Sequence, residues 1–327
     1  SALKLHYQVR GASWQPAYQA KLDTDTEQLS LIASAIIAQQ TGENWLNIPL
    51  TLSTVNPSQR AGSSVPRPER LSLYEDTPNQ RLYSLAPPAE PVMAAVMVSE
   101  SAGLGGGRAM PPLPSFTVSS NSKNGITEYR LPQRVSIPSD GRRVRTVLAE
   151  QSGKSSLWLR STPKQELKAY WYASAPFLTP DWVDGELQLY RDGNYIGQSR
   201  YNYQLLKEQG IGFGTDPNIL VKQLDDGAKE GNGGVFNRSK SLSGTEAYQF
   251  TNQHSRSVPL EVLSSEFISQ DDNIKLTIVH TPPVSEKDWN DTKGIIAWRF
   301  DLAPQQSKVV QSTYQISYPA NKEMAIN

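Results

Sequence analysis

The chain has 327 residues, with 32 Lys and Arg against 32 Asp and Glu, three His, 23 Pro and no Cys. A length of this order allows about two domains and burial of roughly three-quarters of the unfolded surface, so folding needs no disulfides. The lack of cysteine excludes thiolate nucleophiles, Cys-based zinc sites and iron–sulfur clusters, and a net charge of zero leaves no electrostatic footprint for nucleic acid.

No stretch approaches the ~20 apolar residues that cross a bilayer, and the opening Ser1-Ala2-Leu3-Lys4 lacks the basic-then-apolar pattern of a signal peptide. The expectation is a soluble segment with no membrane span. The first strand signals are residues 29–38 and 46–55, alternating apolar runs separated by Gln39-Gln40-Thr41-Gly42; the alanines of the first also allow a helix, but Gly42 and the β-branched residues that follow favour strand. Residues 57–114 then hold ten of the 23 prolines and the tract Gly103-Leu104-Gly105-Gly106-Gly107. Proline lacks a ladder donor and glycine is costly to order, so this stretch reads as an inserted loop or linker, open to proteolysis, with 92–98 as an apolar island inside it.

Strand patterns resume at 126–130, 142–150, 155–160 and 167–174. In the last, Leu167, Ala169, Trp171 and Ala173 share one face, and Lys168, Tyr170, Tyr172 and Ser174 the other. Residues 186–197 read as a hairpin, because Asp192-Gly193 supplies the positive φ angles of a tight turn. A short strand at 219–223 precedes a Gly-, Asp- and Lys-rich loop at 225–240, and 246–252, 258–264, 274–280, 294–302 and 308–318 follow as five strands at the spacing of a sandwich. Ala303-Pro304-Gln305-Gln306 reads as a hairpin connection between the last two. No stretch of ten or more residues shows a helical period. The expected fold is therefore all-β: two packed β-sandwich-like units, residues 1–56 with 125–205 and residues 206–327 (Ig-like), with 57–124 as the Pro/Gly-rich insertion.

The motifs of nucleophile elbows, P-loops, zinc metalloproteases and complete EF-hand loops are absent. Gly210-Ile211-Gly212-Phe213-Gly214 lacks the third glycine and the following helix of a dinucleotide site, and reads as a β-bulge or turn. His6, His254 and His280 have no second ligand at metal spacing. Asp23, Asp25 and Glu27 alternate in a turn and form a weak candidate for Ca²⁺; a solvated turn explains them equally well, and no metal or other cofactor is expected. Trp14, Tyr18, Trp45 and Trp182 lie beside turns, where aromatic rings either present platforms to sugars or partners or plug the ends of a sandwich, the second being favoured.

The segments Val9-Arg10-Gly11-Ala12-Ser13-Trp14-Gln15-Pro16-Ala17-Tyr18, Gln40-Thr41-Gly42-Glu43-Asn44-Trp45 and Tyr190-Arg191-Asp192-Gly193-Asn194-Tyr195-Ile196-Gly197, with Gly212-Phe213-Gly214-Thr215-Asp216-Pro217 and later motifs, resemble the mucoidy-inhibitor-like family, in its C-terminal domain of unknown function. The resemblance implies an all-β domain of a mostly bacterial envelope group, periplasmic or envelope-associated, linked by name to surface polysaccharide, with no catalytic residues to transfer. Asn44 stands where that family commonly has Asp, which counts against a charge-dependent role there.

Together these readings lead to the expectation of a non-catalytic module that binds a protein or glycan partner through a corner formed by Trp14, Tyr18, Thr41, Glu43, Trp45 and Trp182. The alternatives are a carbohydrate-active hydrolase whose paired carboxylates only the fold would reveal, and a domain for structural self-assembly. The oligomeric state is open.

Overall fold

A computed structural model describes residues 3–54, 119–123, 126–131, 133–224, 229–233 and 239–322. The insertion expected at 57–124 lies outside them up to residue 118, as does the apolar island at 92–98. The described residues belong to one compact unit, 1–54 with 115–327.

Chain order begins with β1 (Ala12–Asp23), β2 (Gln28–Gln39), β3 (Trp45–Ile48) and β4 (Thr51–Ser53). It continues with β5 (Ser119–Lys123), β6 (Ile126–Arg130), β7 (Val135–Ile137), β8 (Val144–Lys154), β9 (Leu157–Ser161) and β10 (Ala169–Ala173). The hairpin of β11 (Gly185–Arg191) and β12 (Asn194–Tyr201) leads into helix α1 (Tyr203–Gln209), then β13 (Ile211–Thr215), β14 (Ile219–Leu224) and β15 (Lys229–Gly233). The last strands are β16 (Ser239–Asn252), β17 (Val258–Ser265), β18 (Lys275–Thr281), β19 (Glu286–Lys287), β20 (Ile295–Leu302) and β21 (Ser307–Pro319).

These strands make an all-β fold of several packed sheets. One has the order β12-β11-β1-β2-β8, a second β13-β10-β9-β17-β20-β19, and a third β14-β16-β21-β18 with β15 also on β16; β3-β7 and β4-β6-β5 form two small ones. The joins β1-β11 and β9-β17 are parallel. The six-stranded sheet takes β9 and β10 from before residue 205 and β13, β17, β19 and β20 from after it, so the expected division at 205/206 runs through a sheet.

Period-two patterning decides which face each strand buries. Along β2, Leu29, Leu31, Ala33, Ala35 and Ile37 are buried, and on β10 Ala169, Trp171 and Ala173 are buried while Tyr170 and Tyr172 face the other way. Leu167, grouped with that apolar face from the sequence, precedes β10 and is exposed. Asp192 and Gly193 take positive φ, 51° and 80°, at the β11/β12 turn, as the sequence led one to expect.

Four features differ from expectation. Residues 12–23, read as turn-flanked aromatics, form a long internal strand despite Pro16; the β11 ladder begins at Ala17, so Pro16 lies where β1 is paired only with β2 and its missing donor breaks no bond to β11. Residues 303–306 are no hairpin turn, because β20 and β21 belong to different sheets; the Gln305 N–H donates to Asn252 O, and the Asn252 N–H to Gln306 O. The stretch 225–240 contains β15, which pairs with β16. Ser119–Lys123, assigned to the insertion, is a strand on β6. In the Gly210–Gly214 tract the β10/β13 register shifts between Tyr170 and Tyr172, the irregularity expected of a bulge.

Candidate functional site

The Thr41–Trp45 corner is organised by a residue that the sequence did not single out. Gln39 is buried; its Nε2 donates to Glu43 O and Ile137 O, both at 2.9 Å, and its Oε1 accepts from the N–H and hydroxyl of Thr41. One amide thus satisfies four polar groups where the chain reverses. Gly42, at φ 90°, donates its N–H to Ser139 Oγ, and Asn44 Oδ1 accepts the Ser139 N–H at 2.8 Å. An aspartate would accept the same bond, so the role of Asn44 here needs no charge. The Glu43 carboxylate accepts the Tyr7 hydroxyl at 2.9 Å, a bond that, with the carboxylate's charge, raises the Tyr7 pKa.

The aromatic residues expected at that corner are dispersed. Trp14 donates Nε1 to Ser53 O and meets the Tyr129 ring edge-on; Trp45 is half-buried and packs against the core. Tyr18 and Trp182, 2% and 8% exposed, stack on each other, and Tyr18 also stacks on the buried Tyr201. Three tyrosine hydroxyls tie down alternate carbonyls of one loop: Tyr201 donates to Thr179 O, Tyr129 to Asp181 O and Tyr18 to Val183 O. Burial pushes the pKa of Tyr18, Tyr129 and Tyr201 upward. Tyr18 and Trp182 are thus turned inward, while Trp14 and Trp45 are half-buried.

In the β1/β2 turn, Asp23 Oδ1 accepts the N–H groups of Asp25 and Thr26, and the Thr26 N–H bond above all lowers its pKa. This is an Asx-type turn closing a hairpin. Among the described residues no three His, Asp or Glu side chains converge as a metal site. His254 Nε2 lies 2.6 Å from Asp216 Oδ2, and His280 bridges Ser312 and Glu266.

A different place gathers charge, aromatic surface and open space. On the outer face of the six-stranded sheet, Arg160 of β9 is level with Glu261 of β17, which is level with Arg299 of β20. Arg160 Nε donates to Glu261 Oε2 at 2.5 Å, Arg299 reaches Glu261 Oε1 at 2.9 Å and Glu286 Oε2 at 2.6 Å, and Trp289 donates Nε1 to Glu261 Oε1 at 3.2 Å. The result is a row of alternating charges across four strands. Arg160 and Glu261 are only 8% and 5% exposed.

The Arg160 guanidinium lies over the rings of Tyr172, Trp289 and Trp158 at 4.2, 5.0 and 5.6 Å. The backbone N–H of Asn290 and then the Arg299 guanidinium hold the Glu286 carboxyl below its usual range. Burial opposes the charge on Arg299, but the Glu286 and Glu261 carboxylates outweigh it and raise its pKa. A cavity of about 550 Å3 opens above this row, lined also by Trp158, Phe300, Glu208 and Asp301. That volume lies within the ~300–1,000 Å3 of small-ligand pockets.

Guanidinium offers five N–H donors. Among the described residues Glu261 is the acceptor bound to Arg160. Arg160 lines the cavity with 10% of its side chain exposed, and among the described residues the buried, unpartnered side-chain atoms, Gln151 Oε1 and Thr179 Oγ1, include none of its nitrogens. Its remaining donors are available to whatever fills the cavity. The sequence carried a signal for this site: one Arg in Leu157-Trp158-Leu159-Arg160 and one Glu in Leu260-Glu261-Val262, charges set inside strands whose other face is buried. Their partnership across a parallel join could not be read from it.

Residues 3–320 match the family described as Domain of unknown function (DUF4139). The chain belongs to that family. A curated relative of this DUF4139 domain is Protein F37C4.5 of Caenorhabditis elegans, 21% identical over 347 residues, an alignment that covers 98% of this chain and 61% of the relative. The chain thus spans less than two-thirds of that relative's length. Among the described residues no helix of the domain is long and apolar enough to cross a membrane.

Proposed function

We propose that this DUF4139 domain is a non-catalytic binding module, and that its partner, a glycan or a protein, docks in the cavity on the outer face of the six-stranded sheet. The observation that carries this reading is Arg160: a buried guanidinium between aromatic rings, with donors open to a cavity of ligand size. The carboxylates nearest to it support binding over acid–base catalysis. Both oxygens of Glu261 are engaged, by Arg160 on one side and by Arg299 and Trp289 on the other, and Glu286 is held ionised by Asn290 and Arg299, so Glu286 is not poised to donate a proton.

The resemblance to the mucoidy-inhibitor-like group supports placing the module in the bacterial envelope, in a role connected with surface polysaccharide. Purified protein is expected to show saturable binding to a defined glycan or purified envelope protein, and Arg160→Met is expected to abolish it and Trp289→Ala to weaken it while the circular dichroism of the fold persists. Catalytic turnover of a glycan or peptide that disappears on changing one carboxylate would overturn the non-catalytic reading. Recovery in the cytosolic fraction of the source cell would overturn the placement.

A further inference from the structure

Resting on that reading, we infer that the ligand of the cavity is an uncharged sugar ring, stacked against Trp158 or Trp289 and hydrogen-bonded between the Arg160 guanidinium and the rim carboxylates Glu208 and Asp301. The charge pattern makes the choice. The row Arg160, Glu261, Arg299, Glu286 sums to zero and is internally paired. The cavity lining as a whole has these two arginines against four carboxylates, the other two being the exposed Glu208 and Asp301. An anionic ligand would share the cavity with the exposed carboxylates Glu208 and Asp301 and meet an Arg160 already bound to Glu261. A cationic ligand would face the Arg160 guanidinium, which already lies over the Tyr172 and Trp289 rings.

An uncharged polyhydroxylated ring avoids both penalties. Its hydroxyls accept from Arg160 and donate to the rim carboxylates, so that each buried polar group finds a partner. Its C–H faces pack on the half-buried indoles of Trp158 and Trp289, where a rigid aromatic surface contributes area with little entropy to lose.

The test is a titration of the whole domain against neutral glucose-, galactose- and mannose-based oligosaccharides and, beside them, oligouronides of the same length and linkage. Trp289→Ala and Asp301→Asn, both on the cavity wall or rim, are the variants. The expected result is binding of at least one neutral oligosaccharide, weakened about tenfold by Trp289→Ala and less by Asp301→Asn, with the matched oligouronide bound more weakly by wild type. If oligouronides bind more tightly and both variants alter that binding, the neutral-sugar inference falls while the binding-module reading stands. If neutral sugars bind but both variants bind them as wild type does, the inference falls because the sugar sits elsewhere. If no sugar binds and a purified envelope protein does, with loss in Trp289→Ala, the inference falls and the module is a protein binder. If no ligand of either class binds, both readings fall.

Discussion

Two aromatic-rich regions of the molecule invite comparison: the cluster of Tyr18, Tyr129, Trp182 and Tyr201 around residues 179–183, and the Trp158, Tyr172 and Trp289 surround of Arg160. Both place large rings beside polar groups. In the first, each tyrosine hydroxyl has a backbone carbonyl to donate to, and the rings stack among themselves. In the second, a buried cation has more donors than its protein acceptor can use and opens on a cavity. Aromatic content therefore does not separate scaffold from site here; polar satisfaction does.

The contrast sets the expected effects of substitution. Trp182→Ala removes a ring stacked on Tyr18 in a nearly closed environment and is expected to cost about 3–5 kcal/mol in denaturant unfolding, without a change in ligand affinity beyond that caused by unfolding. A loss under ~1 kcal/mol would mean that the cluster is peripheral. Glu261→Leu leaves Arg160 and half of the Arg299 pairing uncompensated, and should cost about 3 kcal/mol. Adding Arg160→Met to it should restore most of that stability while ligand binding stays lost, because well-packed apolar residues replace buried ion pairs at little cost. Failure of the double variant to recover would show that the charged row holds the sheet together.

The tyrosine cluster also predicts an alkaline limit. Tyr18 and Tyr201 have pKa values raised above the ordinary 10 by burial, so above pH 10 the unfolded chain loses protons that the folded chain keeps. Stability is then present in full below pH 10 and falls as pH rises above it, by about 1.4 kcal/mol per pH unit for each tyrosine. Urea unfolding at pH 9 to 11.5 should show this slope, reduced by one tyrosine's share in Tyr18→Phe; an unchanged slope in that variant would remove Tyr18 as a source. The smallest effect is expected at the exposed corner, where Tyr7→Phe removes one solvent-exposed hydrogen bond to Glu43 and should leave the urea midpoint essentially unchanged.

Particular residues show how far the sequence reached. The β11/β12 hairpin was legible because Asp192-Gly193 dictates its own backbone, and the buried face of β10 because Ala169, Trp171 and Ala173 alternate. Trp14, Tyr18 and Trp182 were grouped with Thr41, Glu43 and Trp45 because all lie beside turn-like residues; sequence proximity to a turn does not say which way a ring points, and the stack closes inward. The role of Gln39 is not legible locally, because a glutamine at a strand end carries no signature until the Glu43 and Ile137 carbonyls come within its reach.

Local sequence suffices to make this chain β-rich, to place many of its strands and to set which of their faces are apolar, since side-chain alternation and turn chemistry act over a few residues. Tertiary structure alone decided the sheet to which each strand belongs. From β16 to β21 the longer strands alternate between two sheets, so neighbours in sequence are not neighbours in the ladder. It also decided the site, because Arg160 and Glu261 are 101 positions apart and meet only across the parallel join of β9 and β17. Local propensity has no access to such a pairing; it follows from long-range strand order, set by burial of the whole apolar surface at once.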